Sequence, residues 1–146
     1  MAMGGPFIAA NGPLYVSTGG EQVKLGMPVC ERHVNSIATV HGGMLAAFAD
    51  MLMPVVFYRH PDVVATGRAA PTISLHVDYI GGARLGDWLE GTGEVIKVTR
   101  SLIFAQGLIC ANDKPVARCS GVYKFGPAFT SAQGMYIDSV ETPQTS

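Results

Sequence analysis

Charge is scarce in this chain. Only 14% of its 146 residues are Asp, Glu, Lys or Arg, ten basic against eleven acidic, for a formal net charge of -1. With neither a basic run nor an acidic tail, the composition speaks against a nucleic-acid partner and against a charged interaction arm. Cysteine is also sparse. Cys30, Cys110 and Cys119 are an odd number and no two are spaced C-x-x-C. That excludes a zinc knuckle, a dithiol redox centre and a fully paired disulfide framework. Three reduced thiols in a cytoplasmic protein are expected. The N-terminal MAMGGPFIAANGP has no basic n-region and no long apolar run, so it does not read as a signal peptide. His33, His60 and His76 lack ligand spacing with a carboxylate on one element, so no metal is expected. Neither a repeat nor a linker divides the chain. One domain over residues 1–146 is expected, with an irregular, Gly/Pro-rich N-terminal segment and a frayed tail ending TPQTS.

What the chain has instead is apolar material, 48% of its residues, enough for a real core. The strongest helix pattern is HGGMLAAFADMLMPVVFY, with Thr39 as the expected N-cap. Leu45, Phe48, Ala49, Leu52 and Val56 share one face, and Ala47, Pro54 and Phe57 make the opposite side apolar too. A helix apolar all round is buried or spans a membrane. This one is short for a span and holds both Asp50 and Pro54, so burial within a protein that does not cross a membrane is expected. Pro54 cannot donate to the Asp50 carbonyl, which predicts a kink or break.

Strands follow. TISLHVDYI alternates, placing Ile73, Leu75, Val77 and Tyr79 on one face and Thr72, Ser74, His76 and Asp78 on the other. DWLEGTGEVIKV over 87–98, SLIFAQGLICA and PVARCSGVYKF are three more, the last two joined by the turn NDKP. Without a second long helix, repeated βαβ units are excluded. The pattern predicts an α+β domain: one strongly curved antiparallel sheet wrapped around a central helix, with short strands from the first 35 residues.

The stretch NSIATVHGGMLAAFAD then poses a chemical problem. A buried carboxylate costs several kcal/mol unless it is paired or hydrogen-bonded. Asp50 is therefore either a packing device or a group whose basicity or nucleophilicity is used. Gly42 and Gly43 open the helix, where the first N–H groups have no intrahelical partner and favour negative charge. A carbonyl becoming a tetrahedral oxyanion is one suitable guest; close packing is the other reason for the glycines. Gly42 and Asp50 lie eight residues apart, roughly 12 Å at about 1.5 Å per residue. One small reacting group cannot touch both on one helix. If both serve one reaction, the carboxylate comes from a second copy, in a two-fold dimer with antiparallel helices and composite sites.

Asn35, Ala38, His41, Gly42, Gly43 and Asp50, followed by TISLHVDYIGGA and the hairpin running to GVYKF, resemble the hotdog-fold acyl-CoA thioesterases of the phenylacetate-pathway type over roughly residues 30–125. The resemblance implies a hotdog fold, an acyl-CoA substrate, no cofactor, and a homodimer often doubled to a homotetramer. It implies that Asp50 activates water or itself attacks the thioester, and that the Gly42 N–H of the other subunit polarises the carbonyl. Asn35 would hold thioester or water in line, His41 would orient the loop or bond near the thioester, and Thr72 would position the water. Arg100 and Ser101 fall where CoA is contacted. Ala38 departs from the family's usual Gly, Thr99 stands where a Gly often occurs, and YRHPDVVATGRAA is long for the family.

Two other readings stay open. One is an enoyl-CoA hydratase or dehydratase of the same fold. The other is an acyl-CoA-binding module without catalysis. Met44, Met51, Met53 and Phe57 could wall an acyl pocket for aromatic or medium-length chains, or pack beneath the sheet. Trp88, Tyr79, Tyr123 and Phe125 read as core or interface.

Overall fold

In the computed structural model, residues 5–129 are described. Their order is α1 (Gly5–Asn11), β1 (Tyr15–Ser17), β2 (Lys24–Pro28), a 3-10 turn (Glu31–His33), α2 (Gly42–Phe57), α3 (Pro61–Val64), β3 (Thr72–Tyr79), β4 (Trp88–Val98), β5 (Leu102–Ala111) and β6 (Lys114–Lys124). The strands form one six-stranded sheet in the order β1-β2-β4-β5-β6-β3. Every pairing is antiparallel. The two long hairpins β4–β5 and β5–β6 are its centre, and β1 and β3 are its edges.

One face of this sheet covers α2. Leu45, Phe48, Ala49, Leu52, Met53 and Phe57 point into it and are fully buried or nearly so. Their spacing of three and four residues makes one continuous stripe. Each large side chain among them contributes about 1.5–3 kcal/mol relative to exposure. Glycines let the helix come close. A Cβ on Gly91 would lie 2.7 Å from Leu52, and one on Gly107 would lie 2.7 Å from the Met53 methyl. A larger residue at either place would force those side-chain ends to shift.

Several expectations need correction. The N-cap of α2 is His41, not Thr39, whose backbone instead bridges to Arg84. The helix is not broken at Pro54 but continues to Phe57, so the missing donation to Asp50 costs one bond and not the last turn. Most importantly, Asp50 is exposed, not buried. The sheet covers one side of α2, whereas Ala46, Ala47, Met51, Pro54 and Val55 on the other are only partly covered. Of Met44, Met51, Met53 and Phe57, left open between pocket wall and packing, all but Met51 are buried in the core, and Met51 lies on the partly covered side. The long segment after α2 contains the short helix α3, entered through Pro61. The C-terminal tail lies outside the described residues.

Candidate active site

Asp50 projects from the third turn of α2, and Thr72 Oγ1 donates a 3.0 Å hydrogen bond to its Oδ1. Strict alternation would have turned Thr72 toward the outer face with Ser74 and His76. A β-bulge prevents this. Thr72 stands opposite Tyr123, but Ser74 stands opposite Val122, so Ile73 is an extra residue in the strand. The bulge re-aims Thr72 toward α2, on the same side as Leu75, opposite Gly121. Among the described residues nothing bonds Asp50 Oδ2. The result is an exposed carboxylate with one oxygen held and one free, on an otherwise apolar helix face. That arrangement suits a base or a nucleophile.

The two glycines at the other end of α2 have different reasons to be there. His41 Nδ1 accepts the Gly43 N–H at 2.9 Å. A Cβ on Gly43 would lie 3.0 Å from that nitrogen, so a larger residue there would crowd the capping ring. Gly42 is different. A Cβ there would make only an ordinary 3.5 Å contact with the Tyr79 ring. Packing within the chain does not demand this glycine. Its N–H has no acceptor among the described residues, whereas its carbonyl accepts a 2.8 Å hydrogen bond from Tyr79 Oη. With Gly43 capped, Gly42 is the uncovered donor at the positive end of the helix, the kind of group that stabilises an anion.

Asn35 serves the loop leading to this end. Its Oδ1 accepts from the backbone N–H of Ile37 and Thr39, and its Nδ2 donates to Thr39 Oγ1 at 2.8 Å. One amide hydrogen stays available to a substrate, but the observed work of Asn35 is to build the turn. Within that turn Ala38 has φ +60°, the left-handed region that glycine enters without penalty. The familiar Gly at this place therefore has a backbone reason.

Arg100 and Ser101 are exposed in the β4–β5 turn. The cross-strand row Thr72–Tyr123–Ile103–Val98 puts that turn at the same end of the sheet as Thr72. Elsewhere, His76, Asp78 and Arg118 form a cluster on the outer face: Asp78 bonds His76 Nε2 and Arg118 Nε, both at 2.9 Å. Those bonds hold the Asp78 carboxyl below its ordinary range. Among the described residues no group of three His, Cys, Asp or Glu could hold a metal ion. Burial pushes the Cys119 thiol up to about 11, so it is no nucleophile at neutral pH. Tyr123 lies fully buried, its hydroxyl without a partner among the described residues. Burial and, second, the charge of Asp50 raise its pKa. Sequence patterns missed Tyr79 because an alternating aromatic on a strand signals packing, whereas its use here is through the hydroxyl.

The fold, one antiparallel sheet packed on a long helix, is that of the hotdog class. Residues 38–117 match the family model of the thioesterase superfamily. The chain is 31% identical over 121 residues to PA0474 of Pseudomonas aeruginosa, named as an esterase, covering 81% of this chain and 87% of that one. It is 32% identical over 91 residues to human acyl-coenzyme A thioesterase 13, covering 61% of each. Among solved structures, zebra fish thioesterase superfamily member 2 superposes with a TM-score of 0.68 at 25% identity, covering 77% of this chain and 81% of that one. The chain belongs to the thioesterase superfamily and is a thioester hydrolase with the hotdog fold.

Proposed function

We propose that the protein hydrolyses an acyl-CoA thioester to a free acid and CoA in a homodimer, with each site shared by two chains. The observation that carries this is the pairing of Asp50, one oxygen held by Thr72 and one free, with an uncovered Gly42 N–H on the same helix but roughly 12 Å away. Both groups can act on one carbonyl only if they come from different copies. The exposed edge of β3 and the exposed side chains of Ile37, Ile73, Tyr79, Ile80 and Leu85 supply an apolar surface for the second copy. The dimer is read as doubling to a homotetramer, and the protein as cytoplasmic, where acyl-CoA and reduced thiols coexist.

In this scheme the free oxygen of Asp50 takes a proton from water as the water oxygen bonds to the thioester carbon. The carbonyl oxygen gains charge and is met by the partner's Gly42 N–H. Collapse of the tetrahedral intermediate breaks the carbon–sulfur bond and releases CoA, whose sulfur takes up the proton held by Asp50. Direct attack by Asp50, with later hydrolysis of an anhydride, uses the same groups. Asn35 and His41 hold the loop and helix start in register. Arg100 and Ser101 meet the CoA moiety from the β4–β5 turn. The apolar surroundings of Asp50, namely Ala46, Ala47, Met51 and Pro54, favour an uncharged aromatic or medium-length acyl group.

The test is release of free thiol from phenylacetyl-, hexanoyl- and succinyl-CoA by the native protein and by Asp50→Asn. Hydrolysis that the substitution abolishes, with the oligomer intact, is expected. Unchanged hydrolysis in the variant rejects the mechanism, and fastest turnover of the succinyl ester rejects the acyl preference.

A further inference from the structure

We infer that Tyr79 is a positioning residue that braces the oxyanion donor at the start of α2; the inference rests on the proposed role of Gly42. Two adjacent glycines at a helix start are the least ordered beginning a helix can have, because each loses the most backbone freedom on folding. A donor that stabilises a developing charge must nonetheless be fixed before the reaction, or the reaction itself bears the cost of ordering it. The peptide unit joining Gly42 to Gly43 is pinned at both poles. Its N–H is held by His41 Nδ1 at 2.9 Å and its carbonyl by Tyr79 Oη at 2.8 Å. The Tyr79 ring also lies 3.5 Å from where a Gly42 Cβ would be, closing one side of the residue. The neighbouring N–H, that of Gly42, is thereby aimed without being covered.

Tyr79 holds this end of α2 from the last residue of β3, while Thr72 holds Asp50 from the first. One edge strand thus carries the hydroxyls that hold both the helix start and the carboxylate of α2. Tyr79 touches no reacting atom in this scheme. It acts through the Gly42–Gly43 peptide.

Tyr79→Phe keeps the ring against Gly42 and removes only the hydroxyl. Three readouts are taken on the full chain: kcat and KM for the best CoA ester, amide hydrogen exchange at Gly43 by NMR, and thermal stability. The expected result is a roughly tenfold fall in kcat with KM within about twofold, because a misaimed donor weakens the transition state more than the ground state. Gly43 exchange should quicken several-fold with little change in Tm. Restoring a hydroxyl by replacing Tyr79 with a fluorotyrosine should recover kcat. Unchanged kcat and unchanged exchange overturn the brace. A rise in KM alone also overturns it and assigns Tyr79 to substrate binding. If the native protein cleaves no thioester, the functional reading fails separately, and the exchange measurement still decides whether Tyr79 orders this peptide.

Discussion

Thr72 and Asp50, twenty-two residues apart in sequence, meet at 3.0 Å because Ile73 is an extra residue in β3. The hydroxyl is the donor, so it fixes one carboxylate oxygen, while the other has no partner among the described residues. A threonine side chain is short and stiff at χ1, so it reaches Asp50 only if the strand turns it the right way. In the proposed mechanism the bulge therefore serves the carboxylate as well as the sheet.

Thr72→Val tests that relationship, since valine has nearly the same shape and no hydroxyl. Hydrogen bonds to charged groups are worth ~1.5–3 kcal/mol, less where water competes, as at this exposed position. A loss of roughly tenfold in kcat/KM is expected, far short of the loss from Asp50→Asn. Steady-state kinetics with one CoA ester measures both. Equal losses in the two variants would mean that Thr72 takes part directly and not through Asp50.

The helix, the four long strands and the last hairpin were legible because their apolar spacing runs through most of each element, despite local shifts of register in the sheet. Residue types alone picked out the candidate site, but they carry no geometry. Period-two alternation has no means of announcing an extra residue, so it sent Thr72 to the wrong face. The apolar outer side of α2 read as burial, yet Ala47, Met51 and Pro54 are only partly covered and Asp50 beside them is exposed. An unbroken apolar pattern cannot distinguish a side covered by its own sheet from one left for another molecule. Thr39 looked the better cap by residue type, but the acceptor that reaches the Gly43 N–H is the imidazole of His41.

Gly42 and Gly43 should part company when each is changed to alanine. In Gly43→Ala the new methyl meets the His41 ring at about 3.0 Å, so the ring must shift and the cap is expected to weaken. A lost N-cap costs ~1 kcal/mol. In Gly42→Ala the methyl has room within the chain, and alanine favours the helix by up to ~1 kcal/mol. Thermal unfolding should show the first variant less stable than the second. Activity should fall in both, and in Gly42→Ala it should fall without loss of monomer stability. Full activity in Gly42→Ala would show that its N–H meets nothing crowded.

Ala38→Gly should stabilise the protein. Ala38 sits at φ +60°, where an L-residue with a Cβ incurs ~1–2 kcal/mol. Glycine removes that strain but widens the unfolded ensemble, which returns part of the gain. A net increase of about 0.5–1 kcal/mol is expected from urea unfolding, with the slope unchanged. The Asn35 turn is built by side-chain bonds that glycine leaves intact. Destabilisation would show that the turn relaxes out of the left-handed region in solution.

Tyr123→Phe probes the buried hydroxyl beneath Asp50. The ring packs against Phe57, with centroids 4.5 Å apart, and the substitution keeps that contact. The hydroxyl lies only 2.3 Å from where a Cβ on Gly121 would stand, and it has no partner among the described residues. A buried polar group left unsatisfied costs ~1–3 kcal/mol, so removing it should raise stability, by about 1 kcal/mol in denaturant unfolding. The alternative outcome is equally informative. A loss of stability on removing the hydroxyl means that an internal water bonds it in solution, as buried polar groups commonly require. A high-resolution crystal structure would then show that water between Tyr123 and the Asp50 side of the helix.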